Sequence, residues 1–124
     1  MGLLEGKVIL VTGASRGVGR GIALGAASEG AIVVASARTM HPEDAPRVPS
    51  SGLRLPGSLA ETIAAVRALG ADAHAIRCDL TNDGDIEHLI DETIERHGRI
   101  DILVNNAMVT GPIAGTLVDL PVAS

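Results

Sequence analysis

Residues 7–19 read KVILVTGASRGVG, an unbroken apolar run (Val8, Ile9, Leu10, Val11) that stops at Thr12 and Gly13 and then passes through Gly17 and Gly19. A run that is apolar at every position has no face for water, which is the pattern of a strand covered on both sides of a parallel sheet. Behind the glycines, Ile22, Ala23, Leu24, Ala26 and Ala27 predict a helix over Gly17–Ser28, closed by Gly30. Gly21 and Gly25 fall on the same helical face as Gly17, and close packing of that helix on the sheet is the expected compensation for their cost.

Strand, glycine turn and helix together form the geometry of a dinucleotide phosphate site. A backbone without Cβ can approach a pyrophosphate, and a helix N-terminus offers it free N–H groups and a partial positive charge. The spacing is neither GxGxxG nor GxxxxGK[ST], so a nucleoside-triphosphate loop is not indicated, and by itself the turn also reads as an ordinary tight strand-to-helix connection.

Ile32–Ala37 is the second strand, and Arg38 follows it at the place that faces the adenosine ribose in a dinucleotide fold. An acid there would accept from a 2′-hydroxyl, but no acid lies between Glu29 and Glu43. Arg38, with Arg16 in the turn as a second cation, suits a 2′-phosphate gripped through paired hydrogen bonds, so NADP(H) is expected over NAD(H). The alternative is that both arginines are solvated surface residues.

Residues 39–57 carry four of the six prolines (Pro42, Pro46, Pro49, Pro56) and no helical or strand period. They read as a Pro-rich insertion, either a mobile surface excursion or a lid over the phosphate pocket. Ser58 and Glu61 form a capping box ahead of a helix with Leu59, Ile63, Val66 and Leu69 on one stripe. Residues 73–78 are the third strand. Ile86, Leu89, Ile90, Thr93, Ile94 and His97 mark the next helix, with His97 favourably placed at its C-terminal dipole, and residues 100–104 are the fourth strand. The order βαβαβαβ gives an α/β, Rossmann-like parallel sheet of order 3-2-1-4 with helices on both faces, and its ligand cleft at the carboxyl ends of strands one and four.

The chain has 124 residues, enough for one domain over residues 1–124 with a modest core. Its net charge of -5 argues against nucleic-acid or anionic-membrane partners. No apolar run approaches membrane-spanning length and no secretory pattern opens the chain, so a cytoplasmic location is expected. Cys78 is alone and reads as a buried, inert thiol; the four histidines have no ligand-like spacing, so no metal is expected. Phe, Trp and Tyr are absent and Lys7 is the one lysine, so no base-stacking platform and no tyrosine acid/base is present.

TGASRGVG (12–19), the arginine after strand two, CDL (78–80) and ILVNNA (102–107) together resemble the short-chain dehydrogenase/reductase family across nearly the whole chain. The resemblance implies an oxidoreductase that moves hydride between a nicotinamide and a small carbonyl or secondary-alcohol substrate. It implies that Gly13, Ser15, Arg16, Val18 and Gly19 line the pyrophosphate and adenosine ribose, that Asp79 and Leu80 meet the adenine, and that Asn106 and Ala107 flank the ribose. LPGS (55–58) with the insertion resembles a hydroxysteroid-dehydrogenase-like branch.

Two departures carry expectations. Met108 stands where the family motif has glycine, and the family's serine and YxxxK machinery lies beyond residue 124. The chain is therefore expected to be a truncated cofactor-binding portion without turnover. Strand four is then a bare edge open to oligomer formation, and residues 109–124 are the segment available to cover part of it. The competing reading is a non-catalytic nucleotide-binding or interaction module.

Overall fold

The computed structural model describes residues 2–107. Its elements in chain order are β1 (Val8–Thr12), α1 (Gly17–Ser28), β2 (Ile32–Ala37), a single 3₁₀ turn (Pro42–Asp44), α2 (Leu59–Ala68), β3 (Ala73–Arg77), α3 (Asp83–His97) and β4 (Ile102–Val104). The four strands are all parallel in the order β3-β2-β1-β4, the order the sequence predicts.

The double cover of the sheet explains the unbroken apolar run. Ile9 and Val11 point to one face with Val33 and Ala35, where α1 (Ala23, Ala26, Ala27) and α2 (Leu59, Ile63, Val66) pack. Val8 and Leu10 point to the other with Val34 and Ile76, under Leu89 of α3. Leu10 and Val11 are wholly buried, each stabilising the fold by about 1.5–3 kcal/mol relative to exposure. Ile102 and Val104 join the α1 face, while Leu103 points to the other and is 50% exposed. Among the described residues β4 pairs only with β1. Met108 and the 109–124 segment lie outside the described residues.

The helix ends follow their side chains. Ser58 Oγ accepts from the Glu61 amide at 3.2 Å and donates to Glu61 Oε1 at 3.0 Å, so the expected box is closed side chain to side chain. Asn82 caps α3 by accepting from the Asp85 amide, and Gly98 ends it in the left-handed region.

Three expectations need correction. A Cβ on Gly21 or Gly25 would meet nothing within 4 Å, so these glycines face open space and the close packing of α1 is made elsewhere, at Gly19. β4 begins at Ile102, because Asp101 reaches back and accepts from the Val8 amide (2.8 Å) and Arg99 Nε (2.9 Å). Those donors, the Val8 amide foremost, hold the Asp101 carboxyl below the usual carboxylate range. His97 does more than meet a helix dipole, since its Nε2 stands 3.2 Å from His74 Nδ1 with the rings stacked.

Residues 39–57 form a loop with internal pairings. The 3₁₀ turn leads to an antiparallel bridge between Arg47 and Arg54. Val48 donates to the Leu53 carbonyl at 2.7 Å and Leu55 to the Pro46 carbonyl at 2.9 Å. Arg47 and Arg54 each donate from a terminal nitrogen to a carbonyl within this stretch, Gly52 and Ala45 respectively. These pairings are non-periodic, so no amphipathic pattern announces them.

Candidate functional site

The carboxyl ends of the strands open on a cavity of about 590 Å³. Its floor is the turn between β1 and α1. Gly13 has φ +65°, and a Cβ there would lie 2.9 Å from Ala107 Cα; a Cβ on Gly19 would run into the Gly13 carbonyl and come within 2.6 Å of Asn106 Nδ2. Helix and strand therefore meet at van der Waals contact only because both positions lack a side chain.

Thr12 locks this arrangement from below. Its hydroxyl donates to the Val104 carbonyl (3.2 Å) and accepts from the amides of Asn106 (3.0 Å) and Ala107 (3.1 Å). Asn106 Nδ2 donates to the Gly13 carbonyl at 3.3 Å. The end of β4 is thus tied to the turn by one side chain from each.

The N-terminus of α1 differs from those of α2 and α3. Arg16 at its cap position makes no side-chain capping bond and the first turn holds no acid, whereas Ser58 and Asn82 cap the other two helices and acids occupy their first turns. Among the described residues, this uncapped N-terminus leaves amide donors and the positive end of the helix dipole uncompensated next to the cavity, whose lining reaches Arg16.

Gly13, Ser15, Arg16, Arg38, Asp79, Leu80 and Ala107 line the cavity together. Gly19 and Asn106 lie behind its wall and shape it through the contacts above. Val18 stands outside it, 71% exposed at the start of α1. The Arg16 guanidinium is already engaged, donating to the Pro56 carbonyl (2.9 Å), Thr39 Oγ1 (3.2 Å) and the Gly57 carbonyl (3.4 Å). Asp79 Oδ1 accepts from the Thr81 hydroxyl (2.7 Å) and amide (3.0 Å). These bonds, with the charges of Arg38 and Arg77 behind them, hold the Asp79 carboxyl below the usual range, so it is ionised and acceptor-only near neutral pH. Burial pushes the Cys78 thiol up, which leaves it protonated and inert.

A family model described as Enoyl-(Acyl carrier protein) reductase matches residues 13–124. The chain belongs to the short-chain dehydrogenase/reductase family. Hydroxysteroid dehydrogenase-like protein 2 of Danio rerio is 39% identical over 116 residues, 94% of this chain and 26% of that protein. The 3beta-hydroxysteroid dehydrogenase of Mediterraneibacter gnavus is 34% identical over 111 residues, 90% of this chain and 34% of that one. Among solved structures, a short chain dehydrogenase from Mycobacterium smegmatis is 38% identical with a TM-score of 0.70, covering 90% of this chain and 40% of its own. Carveol dehydrogenase from Mycobacterium avium, solved in complex with NAD, is 30% identical with a TM-score of 0.72, covering 98% and 42%. The chain thus spans about a quarter to a third of these curated relatives' length.

In this short-chain dehydrogenase/reductase chain, sequence reasoning missed several residues of the cavity wall. Arg77 ends β3 at the carboxyl edge, where ligand-facing residues of a parallel sheet collect, and its place directly before CDL was the available signal. Asp44, Pro46 and Leu55 come from the 39–57 stretch, whose fold carries no periodic signature. Asp44 supplies an acid that a search of the residues directly after β2 does not find.

Proposed function

We propose that this chain holds NADP(H) as the cofactor-binding portion of a short-chain dehydrogenase/reductase acting on a carbonyl or secondary-alcohol substrate. The observation that carries this reading is the uncapped N-terminus of α1 beside a cavity lined by Gly13, Ser15 and Arg38. The main-chain donors of the 13–19 turn would take the pyrophosphate, and Arg38 the phosphate on the adenosine ribose. Asp79 presents an ionised carboxylate to an adenine amine, and Leu80 an apolar edge to its ring. When bound, the cofactor supplies hydride chemistry at its nicotinamide C4.

Because the 124 residues contain no tyrosine, the family's proton donor cannot come from them, and binding without turnover is the expected behaviour of this chain. Small carbonyl or alcohol substrates then belong to a longer relative. Among the described residues β4 is an edge strand with Leu103 half exposed, which favours association with a further sheet segment or a second copy. A non-catalytic nucleotide-binding module is the second reading, favoured by the same missing tyrosine.

The test is calorimetry with NADPH and NADH alongside a carbonyl-reduction assay. Tighter binding of NADPH without reduction agrees with the proposal. Carbonyl turnover by the chain would overturn its inactivity, and equal or tighter NADH binding would overturn the role of Arg38.

A further inference from the structure

The register of β2 against β3 pairs Ala37 with Arg77. Arg38, one residue beyond β2, and Arg77, the last residue of β3, therefore leave the sheet as neighbours at its carboxyl edge. Both are exposed and both line the cavity. Arg77 Nε donates to the Arg38 carbonyl at 3.0 Å. That bond tethers the base of the Arg77 fork to the Arg38 backbone and leaves the N–H donors of its terminal nitrogens uncommitted.

Among the described residues, neither the terminal nitrogens of Arg77 nor any guanidinium nitrogen of Arg38 has a hydrogen-bond partner or a carboxylate within 4.0 Å. Asp79 feels both charges, but its Oδ1 is occupied by Thr81. Both arginines line one cavity without a partner of their own among the described residues, and a dianion held there would gain charge-assisted hydrogen bonds from each. Arg16, the second cation expected from the sequence, has instead spent its guanidinium on Pro56, Gly57 and Thr39.

We infer that Arg77 is a specificity-determining residue that joins Arg38 in a two-guanidinium seat for the phosphate on the adenosine ribose, while Arg16 anchors the 39–57 stretch. This rests on the NADP(H) reading above. It adds a residue from the third strand to a selection that the sequence assigns to the second.

The probes are adenosine 2′,5′-bisphosphate and adenosine 5′-monophosphate, which differ only in the 2′-phosphate, titrated into the whole chain by calorimetry. Arg77→Gln should weaken the bisphosphate about tenfold, the loss of one charge-assisted contact, and leave the monophosphate within about twofold. Equal weakening of both probes, or no weakening of the bisphosphate, overturns the inference. If Arg77→Gln lowers thermal stability, Arg77→Lys asks the same question with the charge kept: the bisphosphate alone should weaken, by about threefold, because the fork is lost. Equal loss of both probes in that variant also overturns it. A wild-type chain that does not distinguish the probes brings down the NADP(H) reading and the inference with it, whereas a preference that survives Arg77→Gln brings down the inference alone.

Discussion

One wall of the cavity, the 13–19 turn, is main chain packed on main chain, while the wall facing it, drawn from residues 44–57, meets that turn closely at Gly57 and is otherwise held by arginine side chains and its own backbone pairs. At the first, Gly13 and Gly19 leave no room for a single added carbon. At the second, Arg16, Arg47 and Arg54 each reach a backbone carbonyl and the segment contributes only one buried residue before Ser58, Ala45. Steric closure is all or none, since a clash against backbone has nowhere to relax. A wall pinned by a few exposed hydrogen bonds yields by degrees, and charge substitutions can tune it.

The largest break in this contrast should come from Gly19→Val, which drives a branched side chain into the Gly13 carbonyl and Asn106. Overpacking of this kind costs about 3 kcal/mol, read as a lowered urea midpoint, and NADPH binding should be lost with it. A variant that keeps both would mean the turn can open.

Thr12→Val comes next. It keeps the shape but leaves the Ala107 amide without its acceptor and the Asn106 amide with the Val104 carbonyl alone, for about 2 kcal/mol of destabilisation in the same measurement.

On the opposite wall, Arg16→Ala should lower stability by under about 1 kcal/mol, yet speed tryptic cleavage at Arg47 and Arg54 several-fold. In the unaltered chain NADPH should slow that cleavage if the segment closes over the ligand, and an unchanged rate refutes closure. Asp44→Asn removes an acid from the cavity wall without touching the arginines, and should raise the ratio of NADPH to NADH affinity by about threefold.

The smallest effect belongs to neither wall and serves as their control. Burial lowers the pKa of His74 from its ordinary 6.5, helped by the charges of Arg96 and His97 and opposed by Glu92 and Asp72. A histidine more acidic when folded binds fewer protons than the unfolded chain, so stability is full above about pH 6.5 and falls as pH drops from there through the lowered folded value. His74→Gln should flatten that slope in urea unfolding followed from about pH 7.5 to pH 5. NADPH affinity at pH 7.5 should not change, because His74 lies outside the cavity wall.

The same contrast separates what could be read from the residues in order. The β1 run, the turn glycines and the strand order were all legible, because each expresses a local rule of period or steric need; the α3 stripe was legible in part, with Leu89 and Thr93 buried but Ile94 exposed. The 39–57 stretch was not, because its few backbone pairs follow no period and its arginine side chains bond carbonyls five, nine and forty residues away. Gly21 and Gly25 misled for a related reason: spacing shows that they share a face, but only the packed molecule shows that this face meets open space.

Taken alone, the order of the residues determined a doubly covered parallel sheet whose carboxyl edge ends in a side-chain-poor turn, since burial pattern and missing Cβ atoms act within a few residues of chain. The tertiary structure decided which arginines remain available at that edge. Arg16 and Arg38 look alike in the sequence, but a guanidinium's role depends on which carbonyls and anions lie within hydrogen-bond reach. The folding of distant segments committed Arg16 to Pro56 and Gly57 and brought Arg77 beside Arg38.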